Sequence, residues 1–201
     1  MNEAASVFLR AKINQRDGYR LAEWMRNRNV TRYLNEGISV SDELIALMER
    51  TPEGMLSCHL NQNGRFFLVS REGGPVGFVR LTHCTEECCE IVYVIGEERL
   101  WGHGYGKRAL ELALAKAFYE MRKEVAFARI HEENTRSTGT AVHCGMKLAR
   151  KSGHMQIYQI TAREFMEQQK RSRGERMQTD RCMPRYAENP GDLSSRRFRL
   201  P

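Results

Sequence analysis

Residues Trp101 to Gly106 read WGHGYG, with Gly102, Gly104 and Gly106 at every second position, and the helix-forming run KRALELALA follows at once. Glycine loses more backbone freedom on folding than any other residue, so three of them ahead of a helix need a reason. A strand, a tight loop and a helix amino terminus aim several backbone N–H groups in one direction, and the helix dipole adds partial positive charge there. Such a cradle holds anions, and the missing side chains let a phosphate come close. Lys107 and Arg108 can add charge at its rim. Two familiar phosphate loops do not fit. A Walker loop would need glycine where Trp101 stands and Ser or Thr where Arg108 stands, and the dinucleotide fingerprint needs its third glycine three residues after the second rather than two. On the glycines alone, a sharp turn without a ligand remains the alternative.

The other reactive residues point less clearly. Cys84, Cys88 and Cys89 lie close together with His83 beside them. A structural metal site needs four converging ligands, and no second pair at knuckle spacing exists, so ordinary thiols are expected and no metal. Six cysteines in a chain whose MNEAASVFLRAK opening lacks a secretory pattern suit a reducing, cytoplasmic setting. No apolar run approaches the ~18 residues of a membrane span. The net charge of +7 suggests nucleic acid until it is located: nine Lys and Arg against four Asp and Glu follow from Lys170 onward, so five of the seven net charges lie in that tail. The body then lacks the basic face of a nucleic-acid binder, and the tail, rich in Pro, Gly and Ser without apolar periodicity, reads as poorly ordered and at most a weak electrostatic contact.

The elements that must position the loop alternate in type. Val7–Lys12 is a short strand candidate. Leu21, Trp24 and Met25 recur at helical spacing within Asp17–Asn27, and Ser41–Arg50 opens with a capping residue and acids before Leu44, Ile45, Leu47 and Met48. Arg65–Arg71 and Pro75–Thr82 are strands joined by a hairpin turn at EGG, and Glu90–Ile95 is a third. Leu110, Ala113, Leu114 and Ala117 stripe the helix after the glycines. Val125–His131 is a strand, Arg136–Cys144 a short helix, and Met155–Thr161 closes the body. Antiparallel hairpins followed by strand-helix-strand-helix-strand predict a mixed α/β sheet in one domain.

Placed among these elements, WGHGYG resembles the coenzyme loop of the GNAT superfamily of acetyl-CoA-dependent N-acetyltransferases, whose pattern is Arg/Gln-x-x-Gly-x-Gly/Ala between a strand and a helix. Trp101 departs from the usual Arg or Gln, yet WGxGY is the form of the branch holding ribosomal-protein N-terminal and spermidine acetyltransferases. A second signature, Asn-x-x-Ser, a helix and Gly-Phe, is matched by NTRS (Asn134–Ser137), TGTAVHC and Gly145-Met146. The opening FLRAK and LAEWMRNRNVTRYL is similar to that branch as well. The likeness covers residues 7–161.

The resemblance implies a mixed, largely antiparallel sheet flanked by helices, with a V-shaped splay between the central strands. It implies an acetyltransferase domain over residues 1–161 and a basic tail over 162–201, a short helix and then poorly ordered chain. Acetyl-CoA would be the co-substrate. Amides of Trp101, Gly102, His103, Gly104, Tyr105 and Gly106 would hold its pyrophosphate, the backbone of Tyr93, Val94 and Ile95 would pair with the pantetheine arm, and Asn134 would bond that arm from the other side, a role compatible with capping a helix. Amine attack on a thioester needs a neutral amine, an oxyanion site and a proton for the thiolate. Glu90, on one face with Val92 and Val94, is the candidate base; a salt bridge is its plainer role. The Tyr that many members carry as acid is here Ala141, which leaves Tyr158, His143 or water, or a coenzyme-binding regulatory module without activity. The acceptor would be a small amine or a protein N-terminus. Glu23, Glu36, Asp42, Glu43 and Glu49 would suit a polyamine, though a solvated helix face explains them equally. The family pattern leaves room for a homodimer.

Overall fold

Strands covered on both faces and helices striped on one leave few ways to stack. In the computed structural model, which describes residues 6–34, 40–62, 64–82 and 85–181, seven strands make one sheet. They are β1 (Phe8–Arg10), β2 (Gly64–Arg71), β3 (Gly74–Thr82), β4 (Cys88–Ile95), β5 (Val125–His131), β6 (Lys147–Ser152) and β7 (Met155–Thr161). Their order is β1-β2-β3-β4-β5-β7-β6, antiparallel throughout except for β4 against β5. The mixed, largely antiparallel sheet expected from the sequence is what forms. The helices are α1 (Gln15–Arg26), α2 (Arg28–Thr31), α3 (Val40–Arg50), α4 (Leu56–Leu60), α5 (Tyr105–Ala115), α6 (Thr135–His143) and α7 (Ala162–Arg181).

Alternation along the strands feeds two cores. One face meets α5: Val79, Leu81, Ala126, Leu110, Ala113, Leu114 and Ala117 are all fully buried, so the stripe read from the sequence is the stripe that packs. It is extended by a wide π turn at Lys116–Glu120, which keeps Phe118 on the core side against Phe165. At roughly 1.5–3 kcal/mol per buried large apolar side chain, this face is the chief anchor of α5 and hence of the loop in front of it. The opposite face meets α1, where Ile13, Leu21 and Trp24 pack on Phe66, Leu68, Phe78 and Val94.

Gly96, just beyond β4, is where α1 comes closest. A Cβ there would overlap the Trp24 indole. Gly96→Ala is expected to cost about 1–3 kcal/mol through overpacking and to lower Tm by roughly 3–10 °C. A thermal scan with an unchanged midpoint would show that the indole moves aside freely.

Two departures from the expected elements have physical causes. β6 carries no apolar alternation, because all six of its residues are exposed on the sheet's edge, where Lys and Arg guard against edge pairing. Helix α7 continues to Arg181, past the Lys170 at which order was expected to fade. Its sequence up to Gly174 has neither Gly nor Pro, and Arg163 pairs with Glu167 one turn on at 3.1 Å. Residues 1–168 make one compact unit and 169–201 a second, of which the helical stretch to Arg181 is described.

Candidate functional site

The site begins where two strands part. β4 and β5 pair in parallel only from Cys88 to Glu90, against Val125 to Phe127. Beyond Glu90 β4 stays bonded to β3, with Tyr93 opposite Val79 and Ile95 opposite Gly77, while β5 follows β7 instead. The V-shaped gap is therefore built by divided loyalty of two neighbouring strands. Backbone groups in an antiparallel ladder alternate sides. The Ile95 carbonyl accepts from Trp101 Nε1 at 2.7 Å on the side away from β3, so Ile95 and Tyr93, two residues back, turn their N–H and C=O groups toward the gap. An extended amide chain could add there as a strand would.

The glycine loop stands at the open end of the gap. Gly102 and Gly104 have φ of +79° and +85°, a region that L side chains rarely adopt, and Gly104 is the N-cap of α5. Arg108 N–H donates to the Gly104 carbonyl at 3.0 Å, closing the first helical turn. The Gly106 and Lys107 amides lie ahead of that turn with no carbonyl inside the helix to receive them. Trp101 N–H donates to Glu98 O at 3.0 Å and His103 N–H to Leu100 O at 3.4 Å, so these two amides serve the loop's own turn.

A cleft of about 430 Å³ runs through both features. Of the residues expected to hold a coenzyme, Tyr93, Val94, Ile95, Trp101, Gly102, Gly104, Gly106 and Asn134 line it; His103 and Tyr105 do not. The Tyr105 ring is buried in the main core with its hydroxyl accepting from Arg71 Nη1 at 3.1 Å. Asn134 caps α6, its Oδ1 accepting from Ser137 N–H at 3.2 Å. The Tyr93 hydroxyl donates to Ser137 O at 2.9 Å and ties α6 to β4; burial pushes this phenol well above its ordinary pKa, so it stays protonated. Lys107, whose Nζ lies 2.7 Å from His143 Nε2, and Arg136, stacked 3.8 Å over the Trp101 ring, give the loop end of the cleft its positive charge. Open space at Gly102, free helix amides and these cations fit a pyrophosphate. The nearby Cys144 thiol is pushed up to about 12 by burial and by Glu111, which keeps it inert.

The expected base is placed differently from a poised base. Glu90 shares a face with Val92 and Val94 as alternation demanded and is 4% exposed, but it does not line the cleft. Both of its oxygens accept from Arg129, from Nε at 2.8 Å and Nη2 at 2.7 Å. The plainer salt-bridge role is the one that the structure shows. The substitutes considered for the acid are also engaged: Tyr158 is buried against the α5 face with its hydroxyl on Gln156 Oε1 at 2.8 Å, and His143 faces Lys107. Ala141 is fully buried.

No single residue of the cleft's far wall was picked out by a signal in the sequence. Asn29, Val30, Tyr33 and Leu34, on and after the one-turn helix α2, line it. Glu98 accepts from Asn27 Nδ2 at 2.6 Å and Asn29 Nδ2 at 3.0 Å, and Glu97 takes Arg20 at 2.7 Å, so two acids at the head of the loop hold α1 and α2 in place. Tyr33 is fixed by stacking on His131 at 5.4 Å, by Arg32 over its ring at 5.1 Å, and through His131 by His154 at 5.9 Å. His154 is raised above its ordinary pKa by Glu132. No Asp or Glu is among the described residues that line the cleft. Glu23 pairs with Arg20 and Asp42 with Arg26 on exposed helix faces, Glu49 is exposed, and Glu36 lies outside the described residues. His83 and Cys84 lie outside them too, and among the described residues no three His, Cys, Asp or Glu gather as metal ligands. No described helix is long and apolar enough to cross a membrane.

The acetyltransferase (GNAT) domain family matches residues 7–147, a stretch that holds the strand gap, the glycine loop and the α6 cap. The chain belongs to this family. A GNAT domain is an acyltransferase, and the fold agrees with solved structures, acetyltransferases among them. A domain from Methanocaldococcus jannaschii is 24% identical, with 77% of this chain and 97% of that one covered at a TM-score of 0.61. A spermidine N-acetyltransferase from Vibrio cholerae, solved with CoA and spermine, is 18% identical over 81% and 99% at 0.66. The Campylobacter jejuni N-acetyltransferase PseH, solved with acetyl coenzyme A, is 12% identical over 77% and 98% at 0.57. No curated protein sequence matches the chain. At these identities the structures speak for the GNAT fold and leave the acceptor of this GNAT protein to its own residues.

Proposed function

We propose that this protein transfers an acetyl group from acetyl-CoA to a primary amine. The observation that carries the reading is the single cleft joining the β4–β5 gap to the glycine loop, inside a chain of the GNAT family. The amides of Gly106 and Lys107, with Lys107 and Arg136, would hold the pyrophosphate. The Tyr93 and Ile95 backbone would pair with the pantetheine arm, and Asn134 would close it from α6. The thioester would then lie in the gap, with the acceptor entering from the side of Val30, Tyr33 and Leu34.

Proton handling falls to the groups that reach this space. With both Glu90 oxygens clamped, the amine loses its proton to water in the cleft. Tyr33 lines the cleft beside Val30 and Leu34, and we assign its phenol proton delivery to the departing thiolate. The fixed stack beneath it supports a positioned donor, since proton transfer needs a heavy-atom approach of about 2.6–3.2 Å. Calorimetry with acetyl-CoA, followed by turnover with an amine panel, tests the two halves of this reading separately.

A further inference from the structure

We propose that the acceptor carries a carboxylate close to its reacting nitrogen, and that Arg129, aimed by Glu90, receives it. The inference rests on the acetyl-transfer reading and names the substrate class for that site.

The pair is built as a rest for an anion. Glu90 is buried with its side chain 5% exposed, whereas the Arg129 side chain is 46% exposed. The two hydrogen bonds use the Nε and Nη2 edge of the guanidinium. A guanidinium is a rigid planar fork with five donors, so the edge formed by Nη1 and the outer Nη2 hydrogen remains available for a second carboxylate, bound side by side. A buried acid that fixes one edge of an exposed arginine leaves the other edge oriented.

Its position is beside the cleft rather than in its lining, two residues before His131, on which the cleft-lining Tyr33 stacks. Glu90 and Phe127 are the last paired residues of β4 and β5. Arg129 is the next residue of β5 on the same face, about 6–7 Å along the strand, at the point where β4 has turned away. That face is the one opposite α5, where Val92 and Val94 look toward the α1–α2 side.

The charge of the face agrees. Register places Arg80 of β3, Arg129 of β5 and Arg150 of β6 on it together, because Arg80 pairs with Val92 and Ile157 pairs with both Arg129 and Arg150; Lys147 shares the face but is paired with Glu164 at 2.7 Å. Among the described residues of β3 to β7, Glu90 is the only acid that this register puts there. A polycation would meet like charge on the sheet and, among the described residues, no carboxylate lining the cleft.

The test compares acceptors in matched pairs with the full chain and saturating acetyl-CoA: leucine against 3-methylbutylamine, and an amidated peptide beginning with Asp against its Asn counterpart, with spermidine as a third arm. The first pair reports a free amino acid and the second an acidic peptide terminus. The carboxylate-bearing member of at least one pair is expected to show kcat/KM at least about tenfold higher, mostly through KM. In Arg129→Gln that ratio should fall to about unity, and Arg129→Lys should not restore it, because an ammonium lacks the fork. Glu90→Gln should lower the ratio in the same direction, with acetyl-CoA affinity held in every variant. Preference for spermidine or for the uncharged partner, or an Arg129→Gln effect equal on both members of a pair, overturns the proposal while leaving acetyl transfer standing. Acetyl-CoA binding without thiol release for any acceptor overturns both.

Discussion

Tyr33→Phe is expected to lower the turnover of acetyl transfer by about 100-fold while acetyl-CoA affinity stays within about twofold. The figure is at the low end of acid–base assistance because a thiolate, with an ordinary thiol pKa of ~8.5, leaves more easily than an alkoxide or amine. The substitution removes one hydroxyl and keeps the ring, so the stacking on His131 and under Arg32 survives and the acceptor wall keeps its shape. A KM effect without a turnover effect would mean that Tyr33 only lines the acceptor pocket. Steady-state kinetics at saturating acetyl-CoA, paired with calorimetry, separates the two.

Gly104→Val should weaken acetyl-CoA binding at least about tenfold, or ~1.4 kcal/mol. Two effects act in the same direction. The residue sits at φ +85°, where a β-branched side chain is strained by about 1–3 kcal/mol, and relaxing that strain would turn the first amides of α5 away from a shared focus. A side chain at the N-cap also stands where a phosphate would approach. The protein should still fold, because α5 is held by Leu110 and Leu114 in the main core rather than by its cap. Unchanged affinity in a folded variant would remove the loop from the coenzyme site.

What could be seen in the sequence follows from how local each signal is. The loop was legible because glycine spacing and a helical stripe lie within seventeen residues, and the α5 stripe needed only its own period. The gap between β4 and β5 was not a local signal at all. It arises from which partner each strand keeps beyond Glu90 and Phe127, and only the family likeness pointed to it. Glu90 was picked out by its place on a strand, but its clamp, Arg129, lies 39 residues away on another strand, and no period links them. Tyr33 escaped because α2 is a single turn, too short for an amphipathic pattern. The acids thought to suit a polyamine were picked out by their charge on the first helices, and for Glu23 and Asp42 the solvated helix face weighed beside that reading is what forms, each pairing with a neighbouring arginine. β6 was invisible because an edge strand that protects itself with charge lacks the alternation by which strands are recognised.

The measurement that bears most directly on the account is amine-dependent thiol release from acetyl-CoA by the full chain, with mass analysis of the amine product, over a panel of amino acids, peptides, amino sugars and polyamines. At least one amine is expected to raise thiol release well above the rate without amine, with one N-acetylated product formed per thiol. Tight acetyl-CoA binding with no amine-dependent release and no acetylated product across the panel would contradict it, and would make the cleft a coenzyme-binding site without transfer.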